Sequence, residues 1–289
     1  MSSLAKKLTT AGRVLRRDGA GRFAAVAWEK VQMWWRRDDR LGLSYLTGTP
    51  NRLVRLDGGK FGTGDSPALA NLRELLLRGF YERPERDALE KYLDPALPVV
   101  EFGGCIGVVS CLTNKRLNDP ARHVVVEANP ELLPLLEENR ERNGCRFEVL
   151  HRAVGYGGET VTFHIDENVL ASSAQVASSR PITVPATTLR SVLDERGFAL
   201  CTLICDIEGG EIELVERERD VLRERVATFI AEVHRSRVGA GPVEKMFETL
   251  EGIGFAWFFL DEETYVFLNR RFVPEPGGGV ARGDNAAAA

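Results

Sequence analysis

The sequence predicts an α/β fold built on a seven-stranded, mostly parallel sheet, and three observations carry that prediction. From Pro98 onward, short apolar runs alternate with stretches of helical period. The first run, Val99 to Phe102, enters a glycine-rich turn, Gly103-Gly104-Cys105-Ile106-Gly107, and the second, Val124-Val125-Val126, ends on Glu127, twenty residues after the last of those glycines. The last two runs are separated only by Asp261, Glu262 and Glu263, too few residues for a crossover helix, so the last strand is expected to pair antiparallel.

Taken in order, residues 1 to about 47 read as helical and amphipathic, with Phe23, Val26, Ala27, Val31 and Trp34 spaced at three to four residues among basic positions. Trp28, Trp34 and Trp35 also lie there. Such a helix packs on its own domain, packs on a second subunit, or rests on a membrane surface. Gly58-Gly59 and Gly62-Thr63-Gly64 read as a loop, and about 67–93 as a second helical stretch. Core strands are expected at 98–103, 122–127, 146–151, 200–206, 226–233, 254–260 and 264–270. Helices are expected at 107–117, 130–142, 187–196, 209–224 and 242–252, with Pro130 suited to a helix start. An insertion, Thr160 to Val184, holds two β-like pieces and a Ser/Ala-rich connector, the kind of loop that shapes a substrate pocket. The expected division is a basic helical extension over 1–65, one catalytic domain over 66–272, and a disordered tail over 273–289.

Composition narrows the possibilities. The 289 residues suffice for a full α/β core. The formal charge is −4, but the first sixty residues hold thirteen Lys or Arg against five Asp or Glu, a net +8, which leaves −12 for the rest. That asymmetry suits an acidic surface, a lipid headgroup or the acidic body of the same protein. Five cysteines, odd in number and mostly inside apolar runs, read as buried thiols of a reducing compartment. Neither they nor the four histidines show ligand spacing, and no metal site is expected. No apolar run is long enough to span a membrane and no secretory signal is evident, so the expected location is cytoplasmic. Nucleic acid is not an expected partner.

The chemistry concentrates at three strand ends. The loop Glu101 to Gly107 has no G-x-G-x-x-G register, because Cys105 and Val108 fall where glycines are required. That weakens a dinucleotide site. An acid two places before the first glycine suits an ammonium group better than a pyrophosphate, which points to S-adenosylmethionine, with Glu127 on the ribose hydroxyls. A nicotinamide or flavin cofactor and a merely structural turn are the competing readings. Leu203-Ile204-Cys205 then empties into Asp206-Ile207-Glu208-Gly209-Gly210-Glu211, with helix capping as the structural alternative. Finally, Glu232 and His234 share one face of the strand ending at Val233.

As an ordered set, these segments resemble the FkbM family of S-adenosylmethionine-dependent methyltransferases, from about Gly79 to Arg270. The resemblance rests on Gly79-Phe80-Tyr81-Glu82, Glu101 to Gly107, Val126-Glu127-Ala128-Asn129-Pro130 with Asn143, Arg152-Ala153-Val154-Gly155, Thr188-Leu189, Asp206 to Glu211, and Glu232-Val233-His234. It implies a class I methyltransferase fold and O-methylation of a sugar, glycolipid or polyketide-type product. It also implies that Glu101 and the backbone of Gly103, Gly104, Cys105, Ile106 and Gly107 hold the methionine end, and Glu127 the ribose. Ala128 and Asn129 would flank the adenosine, Ala153 and Val154 would line the adenine, and Tyr81 and Glu82 would close over the cofactor. The family's usual aspartate, asparagine and proline are here Glu101, Cys105 and Ala128; Ile204 stands for a lysine and Arg190 for an aspartate. Candidate bases are His234, Asp206 and Glu232 in that order, with Glu208 orienting the acceptor; the clustered carboxylates could instead bind Mg²⁺ through one or two ligands, but metal independence is the preferred reading. The rival function is a non-catalytic cofactor-binding or assembly module. A homodimer or a peripheral membrane contact is compatible with the N-terminal segment.

Overall fold

A computed structural model of the chain describes residues 25, 28–36, 53–64, 69–165, 180–261 and 263–274. Helical residues 28–36 are followed by β1 (Leu53–Leu56) and β2 (Gly59–Gly62), an antiparallel hairpin closed by Asp57-Gly58. Both turn residues have positive φ, 46° and 78°, as a two-residue type I′ turn requires. The sequence reading expected only a loop here, although Asp-Gly is the signal for such a turn. Val54, Leu56 and Phe61 of the hairpin are buried in the same cluster as Ile106 and Leu136, so an expected boundary at residue 65 cuts through one packed unit.

The second helical stretch is two helices, α1 (Ala70–Arg78) and α2 (Arg83–Tyr92). Gly79, at φ +79°, ends the first in the left-handed conformation that glycine adopts without strain. The core then runs β3 (Val99–Phe102), α3 (Val108–Asn114), β4 (His123–Glu127), α4 (Leu133–Arg142) and β5 (Glu148–His151). A small sheet follows, ordered β6-β8-β7, from β6 (Ala153–Val154), β7 (Thr160–Ile165) and β8 (Arg180–Thr187). The insertion's two β-like pieces are β7 and β8; its connector lies outside the described residues. The chain continues through α5 (Leu189–Arg196), β9 (Cys201–Cys205), α6 (Glu211–Arg217), α7 (Arg219–Arg225), β10 (Val226–Glu232), α8 (Arg235–Val238), α9 (Ala240–Gly252), β11 (Phe255–Asp261) and β12 (Thr264–Asn269). Residues 275–289, most of the expected tail, also lie outside the described residues.

The large sheet is ordered β11-β12-β10-β9-β3-β4-β5, with β12 alone antiparallel to its neighbours. Strands β3, β4 and β9 are buried along their whole length, which is why they read as unbroken apolar runs. Alternate residues build two cores. Val99, Val125, Ile204 and Ile230 face α1 to α4; Val100, Val124, Leu203 and Phe229 face α5, α6, α7 and α9. The expected helix over 209–224 breaks at Glu218, whose carboxylate accepts the Leu189 and Arg190 N–H groups at 2.6 and 2.7 Å and so serves the N-terminus of α5. Among the described residues, no helix is long and apolar enough to cross a membrane. Chain order diverges to either side between β3 and β9, and an open α/β sheet presents its crevice at that point.

Candidate active site

At the crevice, β3 and β9 approach so closely that only glycine fits. Gly103 has φ +93°, and a Cβ there would lie 1.8 Å from the Asp206 carbonyl oxygen. A cavity of about 320 Å³ opens over this crossing. Its floor is the edge of the sheet, and its roof is the connection from α1 to α2.

On the β4 side, Glu127 is buried and its two oxygens accept the backbone N–H groups of Cys105 and Asn129, each at 2.7 Å. Burial pushes its carboxyl up to about 7 despite those bonds. Asn129 is buried and its Nδ2 has no hydrogen-bond partner in the protein. An orphaned donor lining a cavity is a place for a ligand acceptor. Ala128, Ala153, Val154 and Phe163 provide an apolar wall of the same cavity. Cys105, held at φ +46°, accepts the Tyr81 hydroxyl at 3.3 Å, and burial raises both groups well above their ordinary values. Glu82 sits in the roof at φ 44°; burial, then the charge of Glu85, raises its carboxyl well above the usual range. Among the described residues, three of the four non-glycine residues with positive φ, namely Glu82, Cys105 and Glu208, line this one cavity.

At the other end stand Asp206, Glu208 and Glu232, carried on the ends of β9 and β10. All three converge on His234. Its Nε2 lies 3.2 Å from Glu208, 3.6 Å from Asp206 and 3.6 Å from Glu232, while Nδ1 is 3.6 Å from Glu211. Burial opposes the charge on His234, but Glu211, Asp206 and Glu208 outweigh it and raise the imidazole to about 10. Burial, reinforced by Asp206 and Glu85, lifts Glu232 to about 9; burial also raises Asp206 well above the usual range, against the pull of His234. Arg237 Nε adds a second cation 2.8 Å from Glu208. Glu211 is structural: it accepts the N–H groups of Ile207 and Gly209 at 2.8 and 3.0 Å and fixes the loop before α6. Asp206, Glu232 and His234 each offer one ligand-type atom, and these lie within 4.8 Å of one another.

The cavity is thus lined by the expected residues Tyr81, Glu82, Gly103, Cys105, Glu127, Ala128, Asn129, Ala153, Val154, Asp206, Glu208 and Glu232. Gly104, Ile106 and Gly107 shape the loop from behind: a Cβ on Gly104 would come 2.4 Å from Val125, and Ile106 is wholly buried.

Two expectations need correction. Glu101 is not in the cavity. It lies two residues before the edge, on the α3 side, where Ser110 donates to one carboxylate oxygen at 2.5 Å and His123 Nε2 lies 3.1 Å from the other. His234 is also set back behind the acids and outside the lining, with its imidazole raised to about 10 by Glu211, Asp206 and Glu208 against the effect of burial. Sequence reasoning missed Leu75, Phe80 and Glu85 in the roof and Arg152 and Phe163 in the wall. The parity of Glu101 with His123 on adjacent strands was the available signal for their pairing.

Residues 101–267, more than half of the chain, match the family described as the Methyltransferase FkbM domain. The chain belongs to the FkbM methyltransferase family. It is therefore a methyltransferase that uses S-adenosylmethionine, built on the class I Rossmann-like fold. No curated protein matched the sequence. Among solved structures, the chain is similar to a ribosomal protein L11 methylase from Lactobacillus delbrueckii subsp. bulgaricus at 12% identity and TM-score 0.40, covering 65% of this chain and 77% of that one. It is also similar to a precorrin-6y C5,15-methyltransferase from Geobacter metallireducens GS-15, at 13% identity and TM-score 0.39 over 64% and 85% of the two chains. A third is an O-methyltransferase from Bacillus cereus in complex with SAH, at 12% identity and TM-score 0.38 over 78% and 86%.

Proposed function

We propose that this methyltransferase methylates a hydroxyl group on a sugar, glycolipid or polyketide-type acceptor, with the cofactor on the Glu127 side of the cavity and the acceptor at Asp206. The observation that carries the reading is the convergence of three carboxylates at one end of a cavity whose other end holds an orphaned Asn129 donor and a fixed Glu127. Bound adenosylmethionine supplies a sulfonium methyl group, and transfer is an in-line displacement, so alignment provides most of the acceleration. Glu127 has a lone pair left on each oxygen for the ribose diol, and Asn129 offers its amide beside it. With Glu101 engaged elsewhere, Glu82 in the roof takes the methionine ammonium. Tyr81 holds the loop through Cys105.

Asp206 accepts the hydroxyl proton as the new bond forms, Glu232 and Glu208 orient the acceptor, and the protonated His234 holds the three acids together as a positioning residue. The imidazolium and Arg237 are the cations beside these acids, and transfer on this reading needs no metal ion. The test is transfer of an isotopically labelled methyl group from adenosylmethionine to candidate acceptors, with the product's bond identified by NMR. A methyl group found on nitrogen or carbon ends the hydroxyl reading. Dialysis against EDTA is expected to leave the rate unchanged. A rate restored only by Mg²⁺ turns Asp206, Glu232 and His234 into a metal site and removes the base assignment.

A further inference from the structure

The helical residues 28–36 are amphipathic with the faces reversed. At 100° per residue, Glu29, Met33 and Arg36 share one side and meet the protein. Glu29 pairs with Arg78 at 3.4 Å, Met33 packs on the core, and Arg36 Nη1 donates to the carbonyls of Leu77 and Arg78 at 3.2 and 3.0 Å. Trp28, Val31, Trp34 and Trp35 share the other side and are 63%, 41%, 45% and 54% exposed. A helix normally buries such a stripe. Arg36 also lines a groove of about 530 Å³ with Arg55, Lys60, Lys115 and Arg142, of which Arg142 pairs with Glu138; Asp57, in the same lining, is engaged by Arg86.

We propose that this face docks on an anionic phospholipid surface, with the tryptophans among the headgroups and the groove on their phosphates. Indole rings, apolar but carrying one donor, favour the boundary between water and lipid, and basic side chains beside them add attraction to anionic headgroups. A second copy is the poorer occupant: a two-fold contact sets each basic groove close to its like. Docking also brings lipid to the cavity's mouth. Leu75 and Phe80, exposed and lining that mouth, flank the two carbonyls that Arg36 holds. An acceptor presented there is an amphiphile, a consequence that rests on the proposed function whereas the docking does not.

The full-length protein is to be sedimented with vesicles of phosphatidylcholine alone and of phosphatidylcholine with phosphatidylglycerol. It is expected to pellet with the anionic vesicles, less so in high salt, with a blue shift of tryptophan emission. A triple Trp28→Ala, Trp34→Ala, Trp35→Ala variant is expected to keep adenosylmethionine binding and lose at least about tenfold in partition. Arg55→Glu with Lys60→Glu is expected to lose about tenfold and to abolish the preference for anionic vesicles. No recovery with anionic vesicles, or equal recovery of wild type and the triple tryptophan variant, overturns the proposal. So does a dimer that the triple variant abolishes in a protein indifferent to vesicles, which assigns the face to a second copy. If the triple variant melts early, brominated acyl chains decide on the wild type: absence of tryptophan quenching rejects docking. Failure of methyl transfer leaves every one of these readings intact.

Discussion

The two ends of the cavity are built by opposite means. At the Glu127 end the backbone does the work: a glycine loop with Cys105 at φ +46° aims an N–H at one carboxylate oxygen, and Asn129 N–H takes the other. At the Asp206 end side chains do it: three carboxylates from two strand ends gather 3.2 to 3.6 Å from one imidazole, with charge rather than aligned hydrogen bonds holding them. A site whose geometry is set by backbone should tolerate changes of chemistry that preserve conformation. A site set by charge should not.

The sharpest break of that contrast is Asp206→Asn. It keeps the shape and removes the proton acceptor, and kcat is expected to fall about 10²- to 10⁴-fold while the Kd for adenosylmethionine stays within about twofold by calorimetry. A wild-type kcat in this variant would transfer the role to Glu232. The wild-type rate itself should climb with pH well beyond the ordinary carboxylate range, because burial raises the conjugate acid of Asp206 and the base is ionised only on the alkaline side.

Glu127→Ala addresses the other end. A carboxylate fixed by two backbone donors and offering lone pairs to a diol is worth roughly 1.5–3 kcal/mol as a charged acceptor, so Kd should rise about 10- to 100-fold with little change in kcat at saturation. The Glu127 carboxyl is raised to about 7, so its accepting form is lost as pH falls through that value. Wild-type affinity should therefore weaken by up to about tenfold between about pH 8 and about pH 6, and Glu127→Gln should flatten the dependence.

The sheet was legible in the sequence because wholly buried strands leave unbroken apolar runs, and the antiparallel β12 because three residues cannot hold a crossover. The Glu127 end of the cavity was legible for a related reason: glycines and a strand-end acid are local signals. What stayed hidden depended on distance along the chain. Glu101 lies in the same strand as the loop, yet its partner His123 sits on β4, and only the alternation of faces tells that its carboxylate points to Ser110 and His123. The roof residues Leu75, Phe80 and Glu85 reach the cavity because α1 and α2 fold over it, and no spacing in the chain encodes that. For His234 the residue was legible and its electrostatic setting was not, since four acids from two segments, 206–211 and the end of β10, surround it.

His234→Gln tests whether charge organises the acceptor end. The imidazolium lowers the proton affinity of Asp206 and Glu208, so its loss should raise both and move the alkaline limb of the rate profile to higher pH. At neutral pH kcat/KM should fall about tenfold and recover as pH rises, with cofactor affinity unchanged. A loss of equal size at every pH would point to packing alone.

The smallest effect should come from Cys105→Asn. Cys105 is buried against Glu127 and Tyr81, so chemistry alone would make it sensitive; conformation argues the reverse. Its backbone sits at φ +46°, where asparagine is more at ease than other residues carrying a Cβ, and its contact with Glu127 runs through the backbone N–H. The Tyr81 hydroxyl exchanges a weak sulfur acceptor for an amide oxygen. Relief of backbone strain should then offset the altered side chain, leaving stability within about 1 kcal/mol and cofactor affinity within about threefold, read by thermal melting and calorimetry. A loss as large as that of Glu127→Ala would mean that the thiol itself, and not the turn it occupies, holds the cofactor end together.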